Sequence, residues 1–309
     1  MSTILFSHPV CTEHEDMPGH PEQPARMDVV HRALEDEQFM FLDRREAPEA
    51  DAEIIAGVHD PRYVADLLSA VPKSGYLSID GDTGMNPHSG KAALRAAGGV
   101  IAAVDAVMRG EVRNAFCAMR PPGHHAERAR AMGFCLFNNV AIGAVHAQKA
   151  HGAERVAVVD FDVHHGNGTQ NMFYDNKNLF YASSHQFPSY PGTGRTSETG
   201  VAGNIVNAPL KPGTGGPEFR AAYEERVLPA LRAFKPDLLI ISAGFDGHVR
   251  DPLAELNLHT TDYVWVTEKL LDVAAECCDG RVVSSLEGGY DLAALAHSCA
   301  AHVGVLMTR

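Results

Sequence analysis

Arg155-Val-Ala-Val-Val-Asp160-Phe-Asp162-Val-His164-His165-Gly166-Asn167-Gly168 is the stretch on which the reading of this chain turns. Residues 156–159 form a short apolar, largely β-branched run of the kind that fills a buried parallel strand, and the Gly-Asn-Gly behind it ends the run. On an extended backbone successive side chains alternate between faces, so Asp160, Asp162 and His164 project to one side for as long as the strand lasts. Carboxylate oxygen and imidazole nitrogen are ordinary ligands of a divalent metal, and open α/β sheets bind ligands beyond the carboxyl ends of their strands. The plainer reading is a strand end with solvated polar residues, and this stretch alone leaves both open.

Moving outward, apolar runs at 4–6, 115–119, 179–184, 237–244 and 281–286 read as further strands. Helical stretches separate them at 26–37, from Pro61, at 91–108, 138–150, 219–234 with a kink near Pro229, and 262–277. Gly98-Gly99 lowers helix propensity within 91–108, which points to close packing against a neighbour. Residues 71–90 form a long irregular connection of the sort that is commonly functional, and 187–217 is a Pro/Gly-rich excursion. Strands alternating with helices imply a mostly parallel sheet covered on both faces, an α/β fold. No repeat, low-complexity tract or linker interrupts it, so 1–309 reads as a single domain.

At 309 residues and 45% hydrophobic composition the chain can bury one core of that size. Its formal charge of -13, with no block of basic residues, argues against a nucleic-acid or anionic-membrane surface and favours cationic partners. The six cysteines include no C-x-x-C pair and read as reduced, mostly buried thiols. Without a basic, apolar leader pattern or a membrane-length apolar run, the expectation is a soluble cytoplasmic protein. Seventeen histidines raise the prior for metal or proton-transfer chemistry.

Four polar clusters each follow an expected strand: His124/His125, Asp160/Asp162/His164, Asp246 and Tyr290. In a parallel sheet those ends share one edge, so residues distant in sequence converge there.

His20-Pro-Glu-Gln-Pro-Ala-Arg26, Arg120-Pro-Pro-Gly-His-His125, Gly133-Phe-Cys-Leu-Phe-Asn-Asn139, Asp160 to Asn167, Tyr190-Pro-Gly-Thr-Gly194, Ala243-Gly-Phe-Asp246 and Glu287-Gly-Gly-Tyr290 follow one another across nearly the whole chain. In these motifs and their order the chain resembles the histone deacetylase family, which includes bacterial deacetylase-like amidohydrolases and acetylpolyamine amidohydrolases. The resemblance implies the arginase/deacetylase fold and one metal, zinc with ferrous iron as the alternative, on Asp162, His164 and Asp246. It further implies His124 oriented by Asp160, His125 oriented by Asn167 and acting as principal base, and Tyr290 donating to the oxyanion.

Asn167 stands where some family classes have a second Asp, as in class II-like members. Gly133, Phe134, Tyr190 and Leu253 would line the substrate tunnel. Tyr190 departs from the Phe common at its place, and the apolar Leu253 tilts the preference toward acyl-lysine-like substrates over polyamines. Asp80 and Asp82 in the long loop are either solvated turn carboxylates, the preferred reading, or carboxylates that reach the tunnel rim. A structural potassium or sodium ion would use carbonyls around Asp160, Asp162 and His164 with Ser183. The implied activity is removal of acetyl or short acyl groups from an acylated amine. An acetylpolyamine or small-amide deacetylase and a silent acyl-ligand binder are the rivals, and a homo-oligomer is left open.

Overall fold

The computed structural model describes residues 3–309. Its first half runs β1 (Ile4–Ser7), α1 (Ala25–Ala33), β2 (Asp43–Glu46), α2 (Ala52–Ala56), α3 (Pro61–Ser69), β3 (Leu77–Ser78), β4 (Gly84–Met85), α4 (Ser89–Met108), β5 (Asn114–Cys117) and α5 (Asn139–His151). The second half runs β6 (Val156–Asp160), α6 (Asn167–Phe173), β7 (Leu179–Gln186), β8 (Ile205–Leu210), α7 (Gly216–Ala222), α8 (Leu228–Phe234), β9 (Leu238–Ala243), α9 (Thr260–Cys278), β10 (Val282–Leu286) and α10 (Leu292–Thr308). Eight strands form one sheet in the order β2-β1-β5-β10-β9-β6-β7-β8, all parallel, while β3 and β4 make a small antiparallel ribbon.

Every residue of β5, β6, β7, β9 and β10 is buried. Those strands are therefore apolar over most of their length rather than strictly alternating, because helices cover both faces. α4 and α5 pack together against the centre of the sheet, and α1, α8, α9 and α10 form the other layer. The outcome is the expected α/β fold. Its consequence for chemistry lies in the strand order: β5, β10, β9 and β6, which the four polar clusters follow, are neighbours at the centre of the sheet.

Several elements depart from expectation. The helix expected over 26–37 stops at Ala33, and a separate 3₁₀ turn, Glu37–Phe39, starts under an Asp36 cap. β2 was not foreseen because Asp-Arg-Arg-Glu is charged, as suits an edge strand paired on one side only. β8, inside the Pro/Gly-rich excursion, is the opposite edge, where Pro209 deprives no inner ladder of a donor. α10 lies beyond the last element read from sequence. The stretch 219–234 is α7 and α8 joined through a π turn, Tyr223–Val227, next to Pro229, whose missing N–H disturbs the regular ladder.

Candidate metal and hydrolytic centre

β6 ends at Asp160 and the chain then bends, so the extended backbone on which Asp160, Asp162 and His164 were expected to share a side stops before Asp162. Side chain to backbone bonds shape the bend. Asp160 Oδ1 accepts from Asp162 N (3.0 Å), and Asp162 Oδ1 accepts from His164 N (2.8 Å). The bend turns Asp162 and His164 toward Asp246 at the end of β9, leaving Asp160 to serve another partner. His164 Nδ1 lies 3.0 Å from Asp246 Oδ2 and 3.3 Å from Asp162 Oδ1. One donor atom from each of the three residues falls within 4.8 Å of the others. Backbone donors fix the carboxylates, Val163 N to Asp246 Oδ1 (2.9 Å) and Gly288 N to Asp162 Oδ2 (2.8 Å). A Cβ at Gly288 would stand 2.6 Å from Asp162 Oδ2, which explains a glycine after β10.

Two buried carboxylates sharing one imidazole demand positive charge. Burial pushes the His164 imidazole down, but hydrogen bonds to Asp162 and Asp246 overcome it and raise it to about 10. Burial and Asp162 push Asp246 up, against His164. The chain thus concentrates negative charge on an N/O donor set, which suits a divalent ion of the zinc or ferrous type.

His124 Nδ1 meets Asp160 Oδ2 at 2.9 Å, and Tyr181 Oη donates to the same oxygen at 3.0 Å. Burial works against charge on His124, but Asp162 and Asp160 prevail and hold it well above the ordinary histidine range. His125 is the converse: burial, then His124 and His164, push it well below that range. Its Nδ1 lies 2.8 Å from Asn167 Oδ1, while Asn167 Nδ2 donates to Glu127 Oε1 at 2.8 Å. Glu127 therefore sets the amide orientation, Asn167 can only accept from His125, and the neutral ring carries its proton on Nδ1 with Nε2 free as a base.

Tyr290 is 9% exposed, and burial raises its hydroxyl well above the ordinary value despite Arg26 nearby, so it remains protonated. The Arg26 guanidinium lies 5.0 Å from the Tyr290 ring centroid and donates to Gly289 O (2.7 Å) and Glu287 O (2.5 Å). Glu22 receives Arg26 Nη1 at 2.7 Å and also pairs with Arg120. Asp251 Oδ2 accepts from Tyr290 N at 2.7 Å. Glu22, Arg26, Arg120, Glu127 and Asp251 received no role from sequence. The first three lie in the resemblance motifs, which was the available signal.

These groups open on a cavity of about 200 Å³ lined by Asp82, His125, Gly133, Phe134, His164, Tyr190, Leu253 and Tyr290. Gly133 (φ 57°) and Phe134 (φ 69°) are both left-handed, and a Cβ at Gly133 would meet the His125 ring at 2.6 Å. The Phe134 ring stands edge-on to Tyr290 at 5.8 Å, and Tyr190 edge-on to His125 at 5.1 Å. Tyr190 and Leu253 are partly exposed at the mouth. The two loop carboxylates divide between the two alternatives: Asp82 lines the cavity, against the preferred reading, whereas Asp80 is a turn carboxylate, accepting from the Asp82 and Thr83 amides. Ser183 pairs in register with Asp160 across β6 and β7, and its Oγ is 2.9 Å from His185 Nδ1. No helix among the described residues is long and apolar enough to cross a membrane.

Residues 20–306 match the histone deacetylase domain. The chain is 41% identical to Histone deacetylase 14, chloroplastic, of Arabidopsis thaliana, over 91% of this chain and 71% of that protein. It is 39% identical to the histone deacetylase-like amidohydrolase of Pseudomonas aeruginosa, over 88% of this chain and 73% of that protein. A crystal structure of the HDA15 HD domain superposes with a TM-score of 0.93 at 35% identity, covering all of this chain and 89% of that one.

Proposed function

The chain belongs to the histone deacetylase family, and from that premise we propose that it is a metal-dependent hydrolase removing acetyl or short acyl groups from acyl-lysine-like amines. The observation that carries the reading is the convergence of Asp162, His164 and Asp246 beside His125 and Tyr290 in one aromatic-walled cavity. Zinc, or ferrous iron in its place, held by Asp162, His164 and Asp246 would acidify water and polarise the acyl carbonyl.

His125, neutral with Nε2 free, takes the proton of the attacking water, and Asn167 backed by Glu127 keeps the ring oriented. His124, kept cationic by Asp162 and Asp160, supplies positive charge beside the reacting carbonyl. The Tyr290 hydroxyl donates to the oxyanion as the carbonyl becomes tetrahedral. The leaving nitrogen takes the proton that His125 accepted from water as the C–N bond breaks, and the acid formed passes its remaining proton to the amine, giving a carboxylate and a protonated amine. Phe134 and Tyr190 present ring faces and edges to an alkyl chain, and Gly133 leaves room beside His125. A potassium or sodium ion near Asp160, Asp162, His164 and Ser183 belongs to the same reading as a structural element.

Asp162→Ala and Asp246→Ala should each abolish metal retention and turnover of acetyl-lysine peptides; full activity in metal-stripped protein overturns the proposal. The Asp82 carboxylate at the cavity favours one second reading, an acetylpolyamine hydrolase, since it could meet a distal ammonium. Side-by-side kcat/KM values for acetyl-lysine peptides and acetylated diamines separate the two.

A further inference from the structure

Asp105 in the last turns of α4 accepts from two imidazoles of α5 through a single oxygen: His146 Nε2 and His151 Nε2 each lie 2.7 Å from Asp105 Oδ1. The two rings are 5.7 Å apart between centroids and close to perpendicular, at 77°. Donor atoms of all three residues fall within 4.8 Å of one another. α4 ends just before β5 starts, and α5 just before β6 starts, so this cluster sits at the strands' N-terminal edge, opposite the hydrolytic centre.

We propose that Asp105, His146 and His151 form a second site for a divalent transition-metal ion, tying the C-terminal ends of α4 and α5 together. Two imidazole nitrogens and one carboxylate oxygen are the donor chemistry of zinc, cobalt and nickel, and a fourth position can be water because all three side chains are partly solvent-accessible. A second feature favours a cation there. Helix C-termini carry partial negative charge from their unpaired carbonyls, and two of them meet at this point, with His151 the last residue of α5.

The site is also braced. Arg109 Nη2 contacts Asp105 Oδ2 at 3.3 Å, which leaves Oδ1 for the ion. Gly143 brings α5 against Val100 and Val104 of α4, so the two helices hold the ligands on a packed frame rather than on loops. The fully buried cluster of His14, Asp16 and Glu22 lacks this character, because Glu22 already carries the guanidinium groups of Arg26 and Arg120. The ion would be structural. Bound only by the folded chain, it would stabilise by mass action.

Cobalt(II) is the probe, added to tag-free, metal-stripped protein, with metal counted by equilibrium dialysis and its visible absorbance recorded. Wild-type protein should take up one equivalent more than the His146→Ala/His151→Ala double variant, and excess cobalt should raise the melting temperature of the former by more than that of the latter, which keeps only the hydrolytic centre. Asp162→Ala/Asp246→Ala should keep the equivalent that the histidine variant loses, which separates this site from the hydrolytic one. Asp105→Asn, which preserves shape and removes charge, should weaken uptake at least tenfold while circular dichroism shows the fold intact. Equal uptake by wild type and both Asp105-site variants overturns the proposal, as does an absence of the extra equivalent in wild type.

Discussion

Tyr290 reaches the cavity with its hydroxyl kept protonated by burial, its backbone amide tied to Asp251 and its ring under the Arg26 guanidinium. A hydroxyl so placed matters mainly when negative charge develops on the carbonyl oxygen. Tyr290→Phe should therefore lower kcat by about 10²–10³-fold with little change in KM; an unchanged kcat in steady-state assays removes Tyr290 from the mechanism. Arg26 is expected to act on stability as well. Arg26→Leu leaves Glu22 with Arg120 alone and frees the Gly289 and Glu287 carbonyls, a loss of about 3–5 kcal/mol in urea unfolding. An exchange costing less than about 1 kcal/mol would mean that the network is dispensable. Arg26 and Gly289 are 263 residues apart in sequence, which is why the motif around Arg26 could be recognised while its work could not. Glu127 was hidden in the same way, since it reaches the chemistry only through Asn167.

Helix α4 shows how an element carries its neighbours' requirements in its glycines. At Gly98 a Cβ would collide with the Pro48 carbonyl and stand 2.8 Å from Ala50 N, which are backbone atoms that cannot swing aside. Gly304 in α10 has nothing within 4 Å of the same position. Gly98→Ala should thus destabilise by about 1–3 kcal/mol through overpacking despite better helix propensity, while Gly304→Ala should stabilise by up to about 1 kcal/mol. Urea titrations of both variants check the pair, and equal effects would refute the packing argument. Close packing at Gly98-Gly99 was legible because helix-breaking residues in an apolar helix ask for a reason. The buried strands were legible for a related reason, as mostly apolar runs. β2 and β8 were not, because edge strands tolerate the charges and prolines that mark loops elsewhere. Where the strand stops was left open by the sequence for a local reason: Asp160 and Asp162 side chains bond the amides two residues ahead and pull the backbone off the strand path.

On the scale of the whole molecule, the buried histidines outside the cavity tie folding to pH. His302 sits between α9 and the sheet: Thr267 Oγ1 donates to Tyr263 O (2.6 Å), so His302 Nδ1 must donate to Thr267 Oγ1 (2.7 Å) and its Nε2 accepts from Ser284 Oγ (2.8 Å). Burial pushes this ring down to about 3, and His59, also buried, to about 4. A folded value below the unfolded 6.5 means that the unfolded chain binds the proton first. The stabilisation is complete above pH 6.5 and is lost as pH falls from there toward about 3 for His302 and about 4 for His59. The raw stability curve would not isolate this effect, because burial raises Glu287 and Asp251 to about 7, and those groups contribute in the opposite direction between the ordinary carboxylate range and neutrality. The informative quantity is the gap between wild type and His302→Leu. It should narrow by about 1.6 kcal/mol between pH 6.5 and pH 5, the slope growing toward about 1.4 kcal/mol per pH unit as the unfolded imidazole becomes fully protonated. Urea unfolding of both proteins across that range measures it, and a gap independent of pH would mean that the folded and unfolded chains protonate His302 alike.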